Sequence, residues 1–168
     1  MATLWKRCRP KPIHLLLRNV KSFSKYAATT ANHCVNLVRQ YDFENYLCCL
    51  LVNKQSRHSI FAIRAFNVEI AKVCDFTTVE TIGKMKIQFW KDTIEDIYSK
   101  GRCPDHPVAK ELQKAVEKHN MSKLWFTKLL GEREENLHNN PFSDTEQLEN
   151  YSEKTVSSIL YLTLEGLG

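Results

Sequence analysis

Between residues 55 and 75 the large apolar side chains Ile60, Ile63, Phe66, Ile70 and Val73 recur at steps of three and four, which places them on one stripe of an α-helix. The same spacing returns in Ile87, Trp90, Ile94 and Ile97. No segment shows the strict alternation of a half-buried strand. Five Gly and five Pro in 168 residues also leave little material for the turns of a β-architecture. The expected fold class is all-α, an antiparallel helical bundle.

Local punctuation sets the expected boundaries. Helices are predicted over 31–41 and 43–53, joined or broken, and over 55–75. A fourth starts at the capping box Thr77-x-x-Glu80, where hydroxyl and carboxylate would satisfy first-turn amides, and stops before Gly101. Pro107 suits a first helical position, because its fixed φ is helical and its missing N–H is not needed there; that helix runs to about His119. Another is predicted from Ser122 to near Asn139, and a last one from a second box, Ser143-x-x-Glu146, to the end.

Charge divides the chain. Of the 24 Lys and Arg, eight lie in the first 41 residues, which hold no acid; the remaining sixteen face all 19 Asp and Glu. The positive excess thus belongs to the N-terminal stretch, which is rich in Arg, Lys, Ser and Thr and places Ile13, Leu16, Leu17 and Val20 at helical spacing. That composition is the one expected of a mitochondrial transit peptide over residues 1–30, with cleavage between Lys25 and Asn32. A basic tail that binds RNA or anionic lipid is the competing reading. The helical domain then occupies 31–168. Its slight negative balance argues against nucleic acid, which requires clustered cations.

Other classes are excluded by spacing. Cys8, Cys34, Cys48, Cys49, Cys74 and Cys103 form no C-x-x-C and have no His at zinc-ligand spacing, so they read as reduced thiols packed among apolar side chains. No apolar run approaches the roughly 20 residues that span a bilayer, so any membrane contact is expected to be peripheral.

"YDFENYLCCLLVNKQSRHSIFAIRAFNVEIAKV", "FWKDTIEDIYSKGRCPDHPVAKELQKAVEKHN" and "LENYSEKTVSSILYLTLEGLG" together resemble the squalene/phytoene synthase family over residues 35–168. Catalytic members join two prenyl diphosphates on Mg²⁺ held by two aspartate-rich helices, since Mg²⁺ takes hard oxygen ligands and bridges carboxylates to the leaving diphosphate. Set against the D-D-x-x-D pattern, "AFNVEIAKVCD" puts the motif positions on Ala71, Lys72, Val73, Cys74 and Asp75. Only Asp75 is a carboxylate. Glu69 lies about 120° round the helix and does not replace the missing partner.

Asp92, Glu95 and Asp96 offer a substitute acidic cluster but read as the polar face of their helix, as do Glu132, Glu134 and Glu135. Arg57 and Arg64 are the candidates for a vestigial diphosphate contact, with an ion-paired structural role as the plainer reading. The family's second aspartate-rich helix lies beyond the stretch that the chain matches. The expectation is therefore a form without the second metal-binding half, whose last helix leaves Ile159, Leu160, Leu162 and Leu164 uncovered.

The resemblance is strongest to family members that assist assembly of mitochondrial respiratory complex I. It implies a non-enzymatic protein without cofactor, partnered by complex I subunits or other assembly factors, peripheral on the matrix side of the inner membrane. The alternative it leaves is an Mg²⁺-dependent prenyl-diphosphate synthase.

Overall fold

The computed structural model describes residues 29–77, 79–137 and 141–168, so the expected leader lies outside the described residues apart from its last two positions. Among the described residues the regular structure is helical throughout: α1 (Thr30–Tyr41), α2 (Phe43–Leu51), α3 (Lys54–Phe76), α4 (Glu80–Lys100), α5 (Pro107–His119), α6 (Lys123–Glu135), α7 (Thr145–Ser152), a π-helical turn (Glu153–Ser157) and α8 (Ser158–Leu167). The all-α expectation holds.

Helix α3 is the hub and packs against α1, α2, α4, α5, α6 and α8. Its periodic stripe explains why: Ile60, Ile63, Phe66, Ile70 and Val73 are all buried. The Phe66 ring meets Trp90 of α4 edge-on at 5.1 Å and Phe126 of α6 at 5.4 Å, the geometry that aligns ring edges with ring faces. Helix α5 contributes Val108, Ala109, Leu112, Ala115 and Val116 to the same core. Gly166 marks the closest approach of α8: a Cβ there would lie 2.9 Å from Ile60 Cδ1 and 3.2 Å from Met121 Cε.

The punctuation is partly as expected. Pro107 is at the start of α5, and Gly101 ends α4 at φ 61°, where a side chain would be strained. The chain breaks between α1 and α2 at Asp42. Both capping boxes are displaced. Helix α4 starts behind Val79, and Thr77 closes α3 instead, its hydroxyl accepting from Lys86 Nζ at 3.4 Å. In α7 the working box is Asp144 with Gln147, one residue on from the expected pair. Asp144 Oδ1 accepts from the Gln147 amide at 2.7 Å, and Gln147 Oε1 accepts from the Ser143 amide at 2.8 Å.

The thiols are free and varied in setting: Cys34 and Cys49 are buried, Cys74 and Cys103 half-buried, Cys48 exposed. Burial pushes Cys34 up to about 12 and Cys49 up to about 11, so neither is a thiolate at neutral pH. The last helix is only half uncovered. Ile159 and Leu162 are buried against α3 and α6, whereas Val156, Leu160, Leu164 and Leu167 remain exposed. The expectation for Ile159 and Leu162 is corrected on that ground: the helix turns one apolar side inward and one outward.

Candidate functional site

A cleft of about 380 Å³ runs along the side of α3 that faces away from the core stripe. Its floor is Arg64, Asn67, Val68, Ala71, Lys72 and Asp75, which step along one helix face. Tyr41, Asp42 and Asn45, at the junction of α1 and α2, form one wall; Thr155, Val156, Ile159 and Leu160 form the other, with Arg133 of α6. Ala71, Lys72, Asp75 and Arg64 are therefore brought to one place.

Arg57 is not among them. Its Nε and Nη2 both donate to the carbonyl of Val52, at 3.1 and 2.8 Å. That carbonyl follows the last turn of α2, so the guanidinium closes the α2–α3 corner where no glycine cap is available.

The π-helical turn shapes the second wall. Thr155, itself 1% exposed, donates its hydroxyl to the carbonyl of Tyr151 at 2.7 Å, competing with the backbone ladder just where the helix widens. Arg133 fixes this wall to α6. Its Nη1 donates to the Tyr151 hydroxyl at 2.7 Å, and the Arg133 carbonyl accepts from Cys74 Sγ at 4.0 Å. Nothing in the charged run "GEREENL" distinguished Arg133 from its neighbours, and only the position of α7 beside α6 gives it a role. Glu132 of the same run is not a solvated face residue. It is buried and paired with Lys154 at 2.8 Å, while Glu134 pairs with Lys91 at 2.6 Å.

Electrostatically the cleft is mixed. Arg64, Lys72 and Arg133 supply cations, and Asp42, at the break between α1 and α2, and Asp75, on α3, are its carboxylates. Lys72 is partly occupied: its Nζ is 3.8 Å from Glu69 and 4.5 Å from the centre of the Tyr41 ring, a cation–π arrangement that bridges α3 to α1. At the positions set against the aspartate-rich motif, Ala71 brings no ligand atom and Lys72 brings a charge of the wrong sign. Mg²⁺ would find one carboxylate there, Asp75, and the residues present do not fit the ion.

The other acidic positions are engaged. Asp92 accepts from Gln88 Nε2 at 2.8 Å, Asp96 pairs with Lys100 at 2.6 Å, and Glu95 pairs with Lys123. Among the described residues there is no cluster of three or more His, Cys, Asp or Glu side chains able to hold a metal. A second, polar hollow of about 660 Å³ lies between α6 and α7, lined by Glu132, Glu135, Asp144, Glu146 and Lys154.

The chain is thus an all-α bundle with an open cleft along its third helix. The squalene/phytoene synthase family model matches residues 38–168, and the chain belongs to that family. It is similar to NADH dehydrogenase (ubiquinone) complex I, assembly factor 6 of Bos taurus, 48% identical over 98% of this chain and 50% of the relative. Similarity to the Homo sapiens protein of that name is 52% over 83% of this chain and 41% of the relative. The Dictyostelium discoideum homolog is 36% identical over 82% of this chain and 38% of its own length. The chain thus spans about half the length of the curated relatives it matches. No solved structure matches it.

Proposed function

We propose that this chain assists assembly of mitochondrial complex I as a non-catalytic member of its family. The observation that carries the reading is the similarity, 36–52% identical, to relatives that are themselves named as complex I assembly factors. The cleft supports it. Where a catalytic member needs paired carboxylates, Ala71 and Lys72 offer none, and Lys72 is instead spent on Glu69 and Tyr41. The remaining cations, Arg64 and Arg133, and the apolar wall of Val156, Ile159 and Leu160 suit binding rather than turnover.

The partners under this reading are complex I subunits or other assembly factors. The place of action is the matrix side of the inner membrane, reached through the basic N-terminal stretch acting as a transit peptide. Among the described residues no helix is long and apolar enough to cross a membrane, which supports peripheral contact. The test is complex I abundance on a native gel after loss of the gene, with and without re-expression of this chain. Loss of complex I restored by the chain is the expected result. An unchanged amount of complex I on loss of the gene would overturn the reading.

A further inference from the structure

Helix α2 carries an apolar face that the fold leaves uncovered. Phe43, Leu47, Leu50 and Leu51 fall at i, i+4, i+7 and i+8 and so share one side of the helix. They are 44, 48, 42 and 89% exposed, while Cys49 on the other side is buried in the core and Tyr46, stacked on Phe43 at 5.9 Å, flanks the stripe and packs against that core. Single exposed leucines are ordinary on a protein surface; four large apolar side chains sharing one helix face along nine residues are not.

The surroundings of this stripe select its occupant. At its C-terminal end stand Lys54, three residues after Leu51, then Arg57 held on the Val52 carbonyl, exposed His58, and Lys118, whose Nζ donates to the Gln55 carbonyl. Lys54 has no ion-pair partner among the described residues. The acids next to α2, Asp42 and Glu44, lie at its opposite end, and Glu111 of α5, which interacts with His58, is paired with Lys114. The protruding Leu50 and Leu51 therefore sit beside a cationic corner. An anionic lipid surface recognises that combination: apolar side chains enter the acyl boundary while Lys and Arg stay at the level of the head-group phosphates. The second uncovered stripe, Val156, Leu160, Leu164 and Leu167, differs: the cations beside its Val156 and Leu160, namely Arg64, Lys72 and Arg133, line the cleft together with Asp42 and Asp75, and the one charged residue of α8 is Glu165.

We propose that α2 is a membrane-docking helix, with Phe43, Leu47, Leu50 and Leu51 inserted into an anionic leaflet and Lys54 and Lys118 on its phosphates. The choice of a bilayer rests on the inner-membrane reading above, and the surface that makes the contact is the new element. Flotation of the full chain with phosphatidylcholine vesicles, with and without added cardiolipin, reads the binding.

The expected result is that the chain floats with the cardiolipin vesicles. The double variant Leu50→Asp/Leu51→Asp lowers the apparent affinity about tenfold or more, the order expected when buried leucines are removed. Lys54→Glu/Lys118→Glu lowers it about tenfold, and Leu164→Asp on α8 leaves it within about twofold. The basic N-terminal stretch is present in every variant, so its own attraction to lipid cancels in the comparison. Circular dichroism of each variant checks that it remains helical. As a second reading, Leu51→Trp gains quenching by brominated acyl chains over the wild-type chain.

Equal flotation of Leu50→Asp/Leu51→Asp and wild type, or no added quenching in Leu51→Trp, overturns the proposal. So does a solution dimer that the double Asp variant dissociates, which would make a second copy the occupant. The vesicles contain no complex I, so failure here leaves the native-gel rescue standing, and failure of the rescue leaves the vesicle result standing.

Discussion

On one side of α3, Ile63, Phe66 and Ile70 are wholly shut off from solvent; on the other, Arg64, Lys72 and Asp75 line an open cleft. Both faces belong to one continuous helix, yet the first is fixed by shape and the second by charge. The buried side tolerates little, because its neighbours on α4, α6 and α8 are already in contact. The cleft side has room, and a residue there can change identity without unsettling the bundle. This separation lets residues of the cleft differ without loss of the fold.

The sharpest way to break the comparison is Phe66→Ala. It removes a fully buried ring that touches both Trp90 and Phe126, and the helices around it relax only partly. A loss of about 3–5 kcal/mol is expected, read as a fall in the urea midpoint at unchanged slope. A loss under about 1 kcal/mol would mean that α3 is not the hub. Gly166→Val tests the same face from α8. Its Cβ would meet Ile60 and Met121 at close range, and an expected cost of about 1–3 kcal/mol follows from overpacking.

The core side was legible before the structure because a 3.6-residue period in Ile, Phe and Val has one physical cause. The start of α5 at Pro107 and the stop of α4 at Gly101 were legible for the same reason: each residue has a backbone preference of its own. The caps were not, because several oxygens stand within one residue of each other. Thr77 competes with the turn before Glu80, and Ser143 with Asp144, so tertiary packing decides which is used. On the cleft side, Ala71, Lys72 and Asp75 stood out only through the resemblance to the family's aspartate-rich motif, and Arg64 only as a candidate diphosphate contact of that family; all four line the cleft. Arg133, Asn45 and Thr155 reach the cleft from other helices, and no local pattern reports that. The π-helical turn that presents Val156 and Leu160 left no mark beyond one Thr.

Acid should act on the fold through His106 and His119. Burial beside Trp90 and Phe89 lowers the His106 pKa, against the opposing charge of Glu69, and burial also lowers that of His119. A depressed folded-state pKa means that the unfolded chain binds protons first. Stability is therefore full above the ordinary histidine value of about 6.5 and declines as pH falls from there through the folded-state values. Urea midpoints measured across that window should fall with acid, and His106→Gln should flatten part of the slope. A midpoint that rises with acid would show that these rings are stabilised as cations instead.

The smallest expected effect is the most informative for the site. Lys72→Ala removes a charge held between Glu69 at 3.8 Å and the Tyr41 ring, in surroundings that are about one-quarter exposed by the measure of the pair itself, 29 and 24%. Solvent screens such a pair, so the change in stability should stay within about 1 kcal/mol. Arg64→Ala, on the same face, should behave alike, whereas Arg57→Ala should cost about 1–2 kcal/mol because it uncaps the Val52 carbonyl. If the cleft binds a client, Lys72→Ala and Arg64→Ala lower complex I rescue while leaving the urea midpoint in place. Arg57→Ala moves the midpoint first. A cleft variant that unfolds the chain as readily as Phe66→Ala would erase the distinction between the two faces of α3, and with it the argument that the cleft was free to change its chemistry.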